Sequence, residues 1–268
     1  MNKTKTLIAL TILFTSSAGW ADQDPDLLAR AKALHDRILT IDAHADIEIP
    51  GAPSSYVGPD GLSKVAPDKM RAGGLDAVVM SVAVGPKPRT AAGYAEARAI
   101  AERELGAMTD LVAVPADQIV LATTPEALRT AHEAGQHGVI LGLQNALILG
   151  TEVNAIDNFY TAGVRVFALT HMGHNAFADS SRPLFDAAIG RREPDAEHGG
   201  LADLGRAAIQ RVNALGGIVD ISQLSKQAAL QAMSVSTTPV IASHSNARAL
   251  TNVSRNLSDE ELDSIGVT

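Results

Sequence analysis

The chain has no cysteine, so it can form neither a disulfide framework nor a lipid attachment through a thiol. Aromatic residues make up only 3% of its 268 residues, and 30 acidic residues against 22 basic ones give a formal charge of −8. Nucleic-acid binding relies on basic surfaces and on aromatic rings that stack on bases. This composition therefore argues against a nucleic-acid partner.

The first 21 residues have the organisation of an export signal: two early lysines, an apolar run over residues 7–14, and small residues at 16–21. The apolar run is too short to cross a membrane. We expect cleavage after Ala21, or alternatively after Ala18, and a soluble, secreted or periplasmic product with no stable membrane anchor. Removing two lysines and no acid would change the formal charge to 20 − 30 = −10.

Apolar, β-rich runs alternate with helical patterns in the rest of the chain, which is typical of βα units and a parallel sheet. Six strands are predicted: Ile38–Ala43, Ala77–Val84, Val139–Leu143, Val164–Leu169, Gly217–Ile221 and Pro239–Ser243. A short extra strand is predicted at Ile119–Thr123. Helices are predicted at Ala91–Asp110, Pro125–Ala134, Leu201–Leu215 and Ser225–Ser234, and a capping box at Ser258–Glu261 opens another. The remaining 268 − 21 = 247 residues suit one α/β barrel or two small domains.

Histidines end two of the predicted strands, in Ile41-Asp-Ala-His44-Ala-Asp46 and in Pro239-Val-Ile-Ala-Ser-His244. The C-terminal ends of parallel strands meet at the mouth of a barrel, where barrel enzymes carry their chemistry. Side chains at i and i+2 of a strand share a face, so His44 and Asp46 should point together into that mouth. Imidazole and carboxylate suit a divalent metal such as zinc. The alternative to a metal site is that His44 and Asp46 form a hydrogen-bonded pair with a structural role.

Two stretches without clear periodicity, Gly51–Pro67 and Ser180–Gly200, follow strand ends. We expect them to cover the mouth or else to be mobile loops. A closed barrel of this type uses eight strands, and only six are visible. Because six strands would leave two apolar parallel edges exposed, we expect the sequence to be a fragment. Residues 22–268 alone are expected to aggregate or to need a partner.

A series of segments resembles the membrane dipeptidase family, also called renal dipeptidase, of zinc metallopeptidases. In order, the segments are Ile41-Asp-Ala-His44-Ala-Asp46, Gly163-Val-Arg165, Leu169-Thr-His171, Gly200-Leu201, Asn213-Ala-Leu-Gly-Gly-Ile-Val-Asp220-Ile-Ser, Ser243-His244-Ser245 and Ser254-Arg255-Asn256. The resemblance extends from Ile38 to Leu262. It implies a TIM-type (β/α)8 barrel, with about six of the eight strands present, and a two-zinc site that hydrolyses dipeptides.

The resemblance also assigns roles to individual residues. His44 and Asp46 match metal ligands on the family's first strand, and His244 matches the histidine ligand on its sixth. His171 matches a histidine that contacts the substrate near the scissile carbonyl, so it is expected to be both catalytic and substrate-binding. Arg255 matches an arginine that holds the dipeptide's carboxylate, a role for which the bidentate guanidinium is well suited.

Two glutamines depart from the family's pattern. Gln144 stands where the family has a glutamate that bridges both metals, and Gln223 stands where it has a histidine ligand on the fifth strand. Two dications about 3.5–4 Å apart repel each other by roughly 17–19 kcal/mol at an effective dielectric near 20. A neutral amide offsets little of that repulsion, so we expect one divalent ion, preferably zinc. A further acid of the family's last strand would lie beyond Thr268.

The sequence thus predicts an exported metallodipeptidase-like hydrolase of dipeptides or similar small acyl-amino acids, with a homodimer left open. It does not identify a general base, since Asp42, Asp179 and Asp220 could each be structural. Two alternatives remain: a non-hydrolytic protein that binds dipeptides, and an enzyme of another reaction type on the same barrel.

The other histidines are predicted to lie outside the chemistry. His174 is expected to support the site or to belong to a lid, and His198 to cap the helix that starts near Leu201. The remaining three, His35, His132 and His137, are predicted to lie at the surface.

Overall fold

The computed structural model describes residues 25–47, 57–113, 118–186 and 190–266. Contacts divide the chain into two units, Met1–Ile38 and Leu39–Thr268. The first unit contains helix α1 (Pro25–His35), which sequence analysis missed. The predicted export signal lies outside the described residues. None of the helices in the described ranges is long and apolar enough to span a membrane.

A parallel sheet runs through the second unit, with spatial order β1-β2-β4-β5-β8. The described strands are β1 (Ile41–Asp46), β2 (Ala77–Ala83), β3 (Ile119–Leu121), β4 (His137–Gln144), β5 (Val164–Ala168), β6 (Phe185–Asp186), β7 (Arg191–Arg192) and β8 (Ile218–Asp220). Strands β6 and β7 form a small separate antiparallel pair. Strand β3 pairs with the start of β4, and β5 pairs with its end. The α/β fold class is confirmed, as a half-barrel of parallel strands with helices.

Five of the six predicted barrel strands are present as strands, and the extra strand is β3. The sixth, Pro239–Ser243, is shorter than predicted, since it meets β8 through a single parallel bridge between Asp220 and Ile241. Two backbone hydrogen bonds hold this bridge, from Ile221 N–H to the Ile241 carbonyl (2.8 Å) and from Ile241 N–H to the Val219 carbonyl (3.0 Å). That contact is enough to place His244 at the C-terminal rim.

All five predicted helices form. The helices described in the second unit, predicted or not, are α2 (Pro67–Gly73), α3 (Ala91–Ala113), α4 (Pro125–Glu133), α5 (Ala155–Thr161), α6 (Asp203–Leu215), α7 (Lys226–Val235) and α8 (Asp259–Ile265), with a 3-10 helix at Ala146–Leu149. The Thr124 hydroxyl accepts the Ala127 N–H and a proline follows it, as expected of a helix start. Helices α2 and α5 are only seven residues long, too short for a clear periodicity.

The central strands β2 and β4 are buried along nearly their whole length. Their sequences therefore read as continuous apolar runs rather than alternating ones. Ser81 is the one polar residue of β2, and Gln144 ends β4 with 2% of its surface exposed. Polar side chains in such strands require partners, and both lie at the end of the sheet that carries the site.

Candidate active site

The end of β1 presents His44 and Asp46 together, as the i, i+2 spacing predicts. His44 Nε2 lies 3.6 Å from Asp46 Oδ1. Two ligands of one tetrahedral zinc ion lie about 3.3 Å apart when each bond is about 2.0–2.1 Å. The other ring nitrogen, His44 Nδ1, is 3.2 Å from the Ser81 hydroxyl of β2. This contact orients the ring and leaves Nε2 for the neighbouring carboxylate or a metal.

His244 stacks directly on His44, with ring centroids 4.0 Å apart and an interplanar angle of 28°. Strand β1 and the segment that carries His244 lie at opposite ends of the sheet order. Their rings can meet only because the sheet curls, which brings the two ends together at the C-terminal rim. The predicted convergence of His44 and His244 is therefore present in the fold.

A chain of hydrogen bonds fixes the tautomer of His244. The Ser243 hydroxyl lies 2.5 Å from Asp220 Oδ2 and 2.7 Å from His244 Nδ1. An ionised carboxylate can only accept, so Ser243 donates its proton to Asp220 and accepts the N–H of His244 Nδ1. The lone pair of Nε2 then points into the site. Burial, followed by the neighbouring charge of His44, lowers the pKa of His244 to about 4, so the ring is neutral at pH 7.

Both substituted ligand positions face that lone pair. Gln144 Nε2 lies 3.1 Å and Gln223 Nε2 lies 3.0 Å from His244 Nε2. One lone pair cannot serve two amide donors well. Gln223 Oε1 is buried and has no hydrogen-bond partner among the described residues. Two amides thus crowd one imidazole nitrogen, and a half-turn of either would bring its oxygen to the same point.

A second carboxylate, Asp220, lies on the other side of the rings, with Oδ2 4.0 Å from His244 Nδ1. His44, Asp220 and His244 each offer one ligand atom, a ring nitrogen or a carboxylate oxygen, and these three atoms lie within 4.8 Å of one another. The Asp220 oxygens, however, accept hydrogen bonds from Ser222 N–H, Ser243 N–H and the Ser243 hydroxyl. We therefore interpret Asp220 as the group that orients His244.

The groups at the rim include a possible metal-binding set of two imidazoles and a carboxylate, His44, His244 and Asp220. Asp46 Oδ1 lies 3.6 Å from His44 Nε2 and offers a second carboxylate beside this set, and zinc accepts imidazole and carboxylate ligands of both kinds. The unpartnered oxygen of Gln223 would gain a partner if it turned toward such an ion.

His171 and Arg255 lie beside this centre. The pKa of His171 is lowered, mainly by burial and further by the positive charges of Arg182 and Arg255. The Asp46 carboxylate acts in the opposite direction and raises this pKa. His171 Nδ1 is buried and lacks a hydrogen-bond partner within the described ranges. Arg255 Nη2 donates to the His244 carbonyl at 2.9 Å, which ties its guanidinium to the segment that carries the histidine.

The three acids that were uncertain from the sequence are all engaged in structural hydrogen bonds. Asp42 Oδ1 accepts the backbone N–H of His44 at 3.1 Å. Burial alone would raise the pKa of Asp179, but the N–H groups of Glu197, Gly200 and His198 hold it below its usual value. These bonds hold the backbone of residues 197–200 against Asp179.

Two predictions for the remaining histidines are wrong. His137 starts β4 and is 6% exposed, with Nδ1–H donating to the Leu75 carbonyl at 2.9 Å, so it is not at the surface. His198 donates from Nε2 to the Asn175 carbonyl, and α6 starts later, so it does not cap that helix. His174 is buried, with Nδ1 accepting the Ser180 N–H and Nε2–H donating to the Pro194 carbonyl.

Sequence analysis missed Ser81 and Glu104. Glu104 lies on α3 and accepts the N–H of Ala83 at 2.8 Å, near the end of β2. A serine inside an apolar strand is a weak signal that could have drawn attention to Ser81. Nothing in the pattern of α3 distinguishes Glu104 from its exposed neighbours.

A parallel half-barrel with imidazole and carboxylate groups at its C-terminal rim has the architecture of a metal-dependent barrel protein. The model of the membrane dipeptidase family (peptidase family M19) matches residues 28–268, and the chain belongs to that family.

Relatives and solved structures agree with this assignment. Dipeptidase aclJ of Aspergillus oryzae is 35% identical over 131 residues, which cover 49% of this chain and 29% of that protein. Dipeptidase tcpJ of Claviceps purpurea is 32% identical over 147 residues, or 55% and 32% of the two chains. The probable dipeptidase PvdM of Pseudomonas aeruginosa is 34% identical, with a TM-score of 0.80, over 90% of this chain and 60% of its own. The chain thus spans about a third of the length of the two fungal dipeptidases.

A metallo peptidase from Rhodobacter sphaeroides, solved with a phosphinate mimic of the dipeptide L-Ala-D-Ala, has a TM-score of 0.69. It is 21% identical, over 85% of this chain and 71% of its own. At this identity the likeness shows a shared fold only.

Proposed function

We propose that this protein is an exported metal-dependent hydrolase that cleaves the amide bond of dipeptides or similar small acyl-amino acids. We further propose that it works with one divalent metal, preferably zinc, held by His44, Asp46 and His244. The dipeptidase relatives support the substrate class. Export rests on the pattern of residues 1–21.

One observation carries the proposal: two imidazoles from opposite ends of the sheet stack at 4.0 Å beside a carboxylate 3.6 Å from one of them. Packing alone gives no reason to gather these polar groups at the rim, whereas a shared cation does. A bound divalent metal supplies Lewis acidity toward a carbonyl oxygen and toward water.

The chain's own residues supply the remaining roles. His171 has a lowered pKa, so it is neutral at pH 7 and can donate one N–H to the substrate's carbonyl oxygen. The guanidinium of Arg255 can pair with the free carboxylate of a dipeptide and set its register. The Ser243–Asp220 pair keeps the His244 lone pair directed into the site.

The first test is metal content followed by assay. We expect the purified protein to bind about one zinc equivalent, measured by mass spectrometry of metals, and to hydrolyse members of a dipeptide panel. His44→Ala removes a ligand, so zinc affinity and kcat/KM should fall by more than about 100-fold. His35→Ala, on the exposed face of α1, is the matched control and should change neither. Zinc bound equally by both variants would refute the assignment.

A non-hydrolytic binding protein remains the second candidate. It is favoured by the absence of a free general base among Asp42, Asp179 and Asp220, each of which is engaged in hydrogen bonds. Saturable dipeptide binding without turnover, in protein loaded with one zinc equivalent, would select this candidate.

A further inference from the structure

A pocket of about 320 Å³ beside the site is lined by four basic side chains, Arg182, Arg192, Lys226 and Arg248, and by one carboxylate, Asp195. Serine side chains form much of the remaining wall. Such a concentration of positive charge is unusual for a chain whose formal charge is −8. We call this cavity the basic pocket.

Two of the four cations already have counter-charges. Arg192 pairs with Asp195 at 3.0 Å, and Lys226 pairs with Glu260 at 2.7 Å. Arg182 makes no ion pair with any described residue, and Arg248 donates only to the Asn256 and Ser254 carbonyls. Two guanidinium groups therefore line the basic pocket without a neutralising acid in the described part of the chain.

Residues that line the basic pocket adjoin or bond to segments of the candidate centre. Ser181 N–H donates to the Gln223 carbonyl at 2.9 Å, so one wall continues into the segment that carries Gln223. Ser254, which also lines the basic pocket, directly precedes Arg255 in the sequence. Burial is the first cause of the lowered His171 pKa, and the charge of Arg182 contributes to it, so Arg182 acts on the site electrostatically.

We propose that the basic pocket binds a second carboxylate of the substrate, on the side chain of its C-terminal residue. This inference rests on the proposed function, in which Arg255 holds the α-carboxylate of that same residue. Guanidinium groups pair with carboxylates through two parallel hydrogen bonds, and Arg182 and Arg248 are available to do so. A pocket of this size accepts the side chain of aspartate or glutamate. The substrate class is thus a dipeptide that ends in an acidic residue.

The test compares Ala-Glu with Ala-Gln, which have nearly the same shape and differ by one charge. We expect kcat/KM for Ala-Glu to exceed that for Ala-Gln by about 10- to 100-fold, as for hydrogen bonds to a charged group. The difference should reside in KM and should shrink as salt is raised, because charge carries it. Equal values for the two dipeptides at low salt would overturn the inference.

The double variant Arg182→Met, Arg248→Met should remove the preference, so that the ratio of kcat/KM for Ala-Glu to kcat/KM for Ala-Gln falls to about one. Arg191→Met is the matched control, since that arginine is exposed on β7 and does not line the basic pocket. A preference that survives in a folded double variant, judged by circular dichroism, would also overturn the inference.

Calorimetry separates this inference from the proposed function. If neither dipeptide is hydrolysed but Ala-Glu binds at least tenfold more tightly than Ala-Gln, hydrolysis fails and the basic pocket stands. If both dipeptides are hydrolysed at equal rates, hydrolysis stands and the basic pocket fails. If neither is bound nor hydrolysed, both proposals fail.

Discussion

At the scale of single residues, the site depends on which nitrogen of each imidazole is free. Ser81 contacts Nδ1 of His44, and the Ser243–Asp220 pair contacts Nδ1 of His244. In both rings Nε2 is therefore the nitrogen left for a ligand. Metal-binding histidines are commonly oriented in this way by a hydrogen bond to the second nitrogen.

Restoring the family's ligands should restore a second metal. Gln144 and Gln223 both approach His244 Nε2 within 3.1 Å, so the double variant Gln144→Glu, Gln223→His places a carboxylate and an imidazole at that point. We expect bound zinc to rise from about one to about two equivalents, because the carboxylate offsets the repulsion between dications.

The matched control for this experiment is Gln210→Glu on the exposed face of α6, which should leave the zinc content unchanged. A double variant that folds and still binds one equivalent would mean that these two positions do not correspond to the family's ligands.

Glu104 should make the stability of the metal-free protein depend on pH. Burial, opposed by the Ala83 N–H and reinforced by Asp46, raises the pKa of Glu104 from 4.5 to about 7. Below pH 4.5 Glu104 is protonated in both the folded and the unfolded chain, so it does not lower the free energy of unfolding. Between pH 4.5 and 7 only the unfolded chain ionises, so stability falls as pH rises. Glu104→Gln should therefore raise the melting temperature at pH 8 and leave it unchanged at pH 4.

The comparison requires a chelator in the buffer, so that metal binding does not mask the effect. Glu102→Gln, on the exposed face of the same helix, should give the same melting temperature as the parent at both pH values. A Glu104→Gln curve that parallels the parent across the whole range would contradict the raised pKa.

At the scale of elements, sequence analysis succeeded where the local signal was complete. The capping box of α8 is present: Glu261 Oε2 accepts both the Ser258 backbone N–H (2.8 Å) and the Ser258 hydroxyl (2.7 Å). The Pro239–Ser243 run, by contrast, was apolar enough to be a strand, but its partners reduce it to one bridge. Strand length is set by the neighbouring strands, and these are not visible locally.

The capping box should contribute measurably to stability. Glu261 is 1% exposed, and Glu261→Ala removes its two hydrogen bonds, so we expect a loss of about 0.5–2 kcal/mol in the free energy of unfolding. Urea unfolding followed by circular dichroism would measure it. Glu260→Ala, which removes only an exposed pair with Lys226, should cost less than about 1 kcal/mol. Equal losses in both variants would show that the cap is not what stabilises α8.

At the scale of the whole molecule, the two imidazoles join opposite ends of the sheet. A metal bound by His44 and His244 would cross-link β1 to the segment beyond β8 and so oppose opening of the half-barrel. Zinc at 100 times its dissociation constant should add about 2.7 kcal/mol to the free energy of unfolding. Calorimetric melting with and without zinc would measure this gain, and it should vanish in His44→Ala. A gain that persists in that variant would locate the stabilising metal elsewhere.

The sequence by itself determined the order of βα units, the polar strand ends and the family, because these depend on periodicity, capping and motif spacing along the chain. Only the tertiary structure decided that Asp220 orients a histidine, that Glu104 reaches the end of β2, and that Arg182 and Arg248 line one cavity. These relations join residues that are far apart in the sequence. Such residues meet only when a twisted parallel sheet curls, and no local pattern encodes that approach.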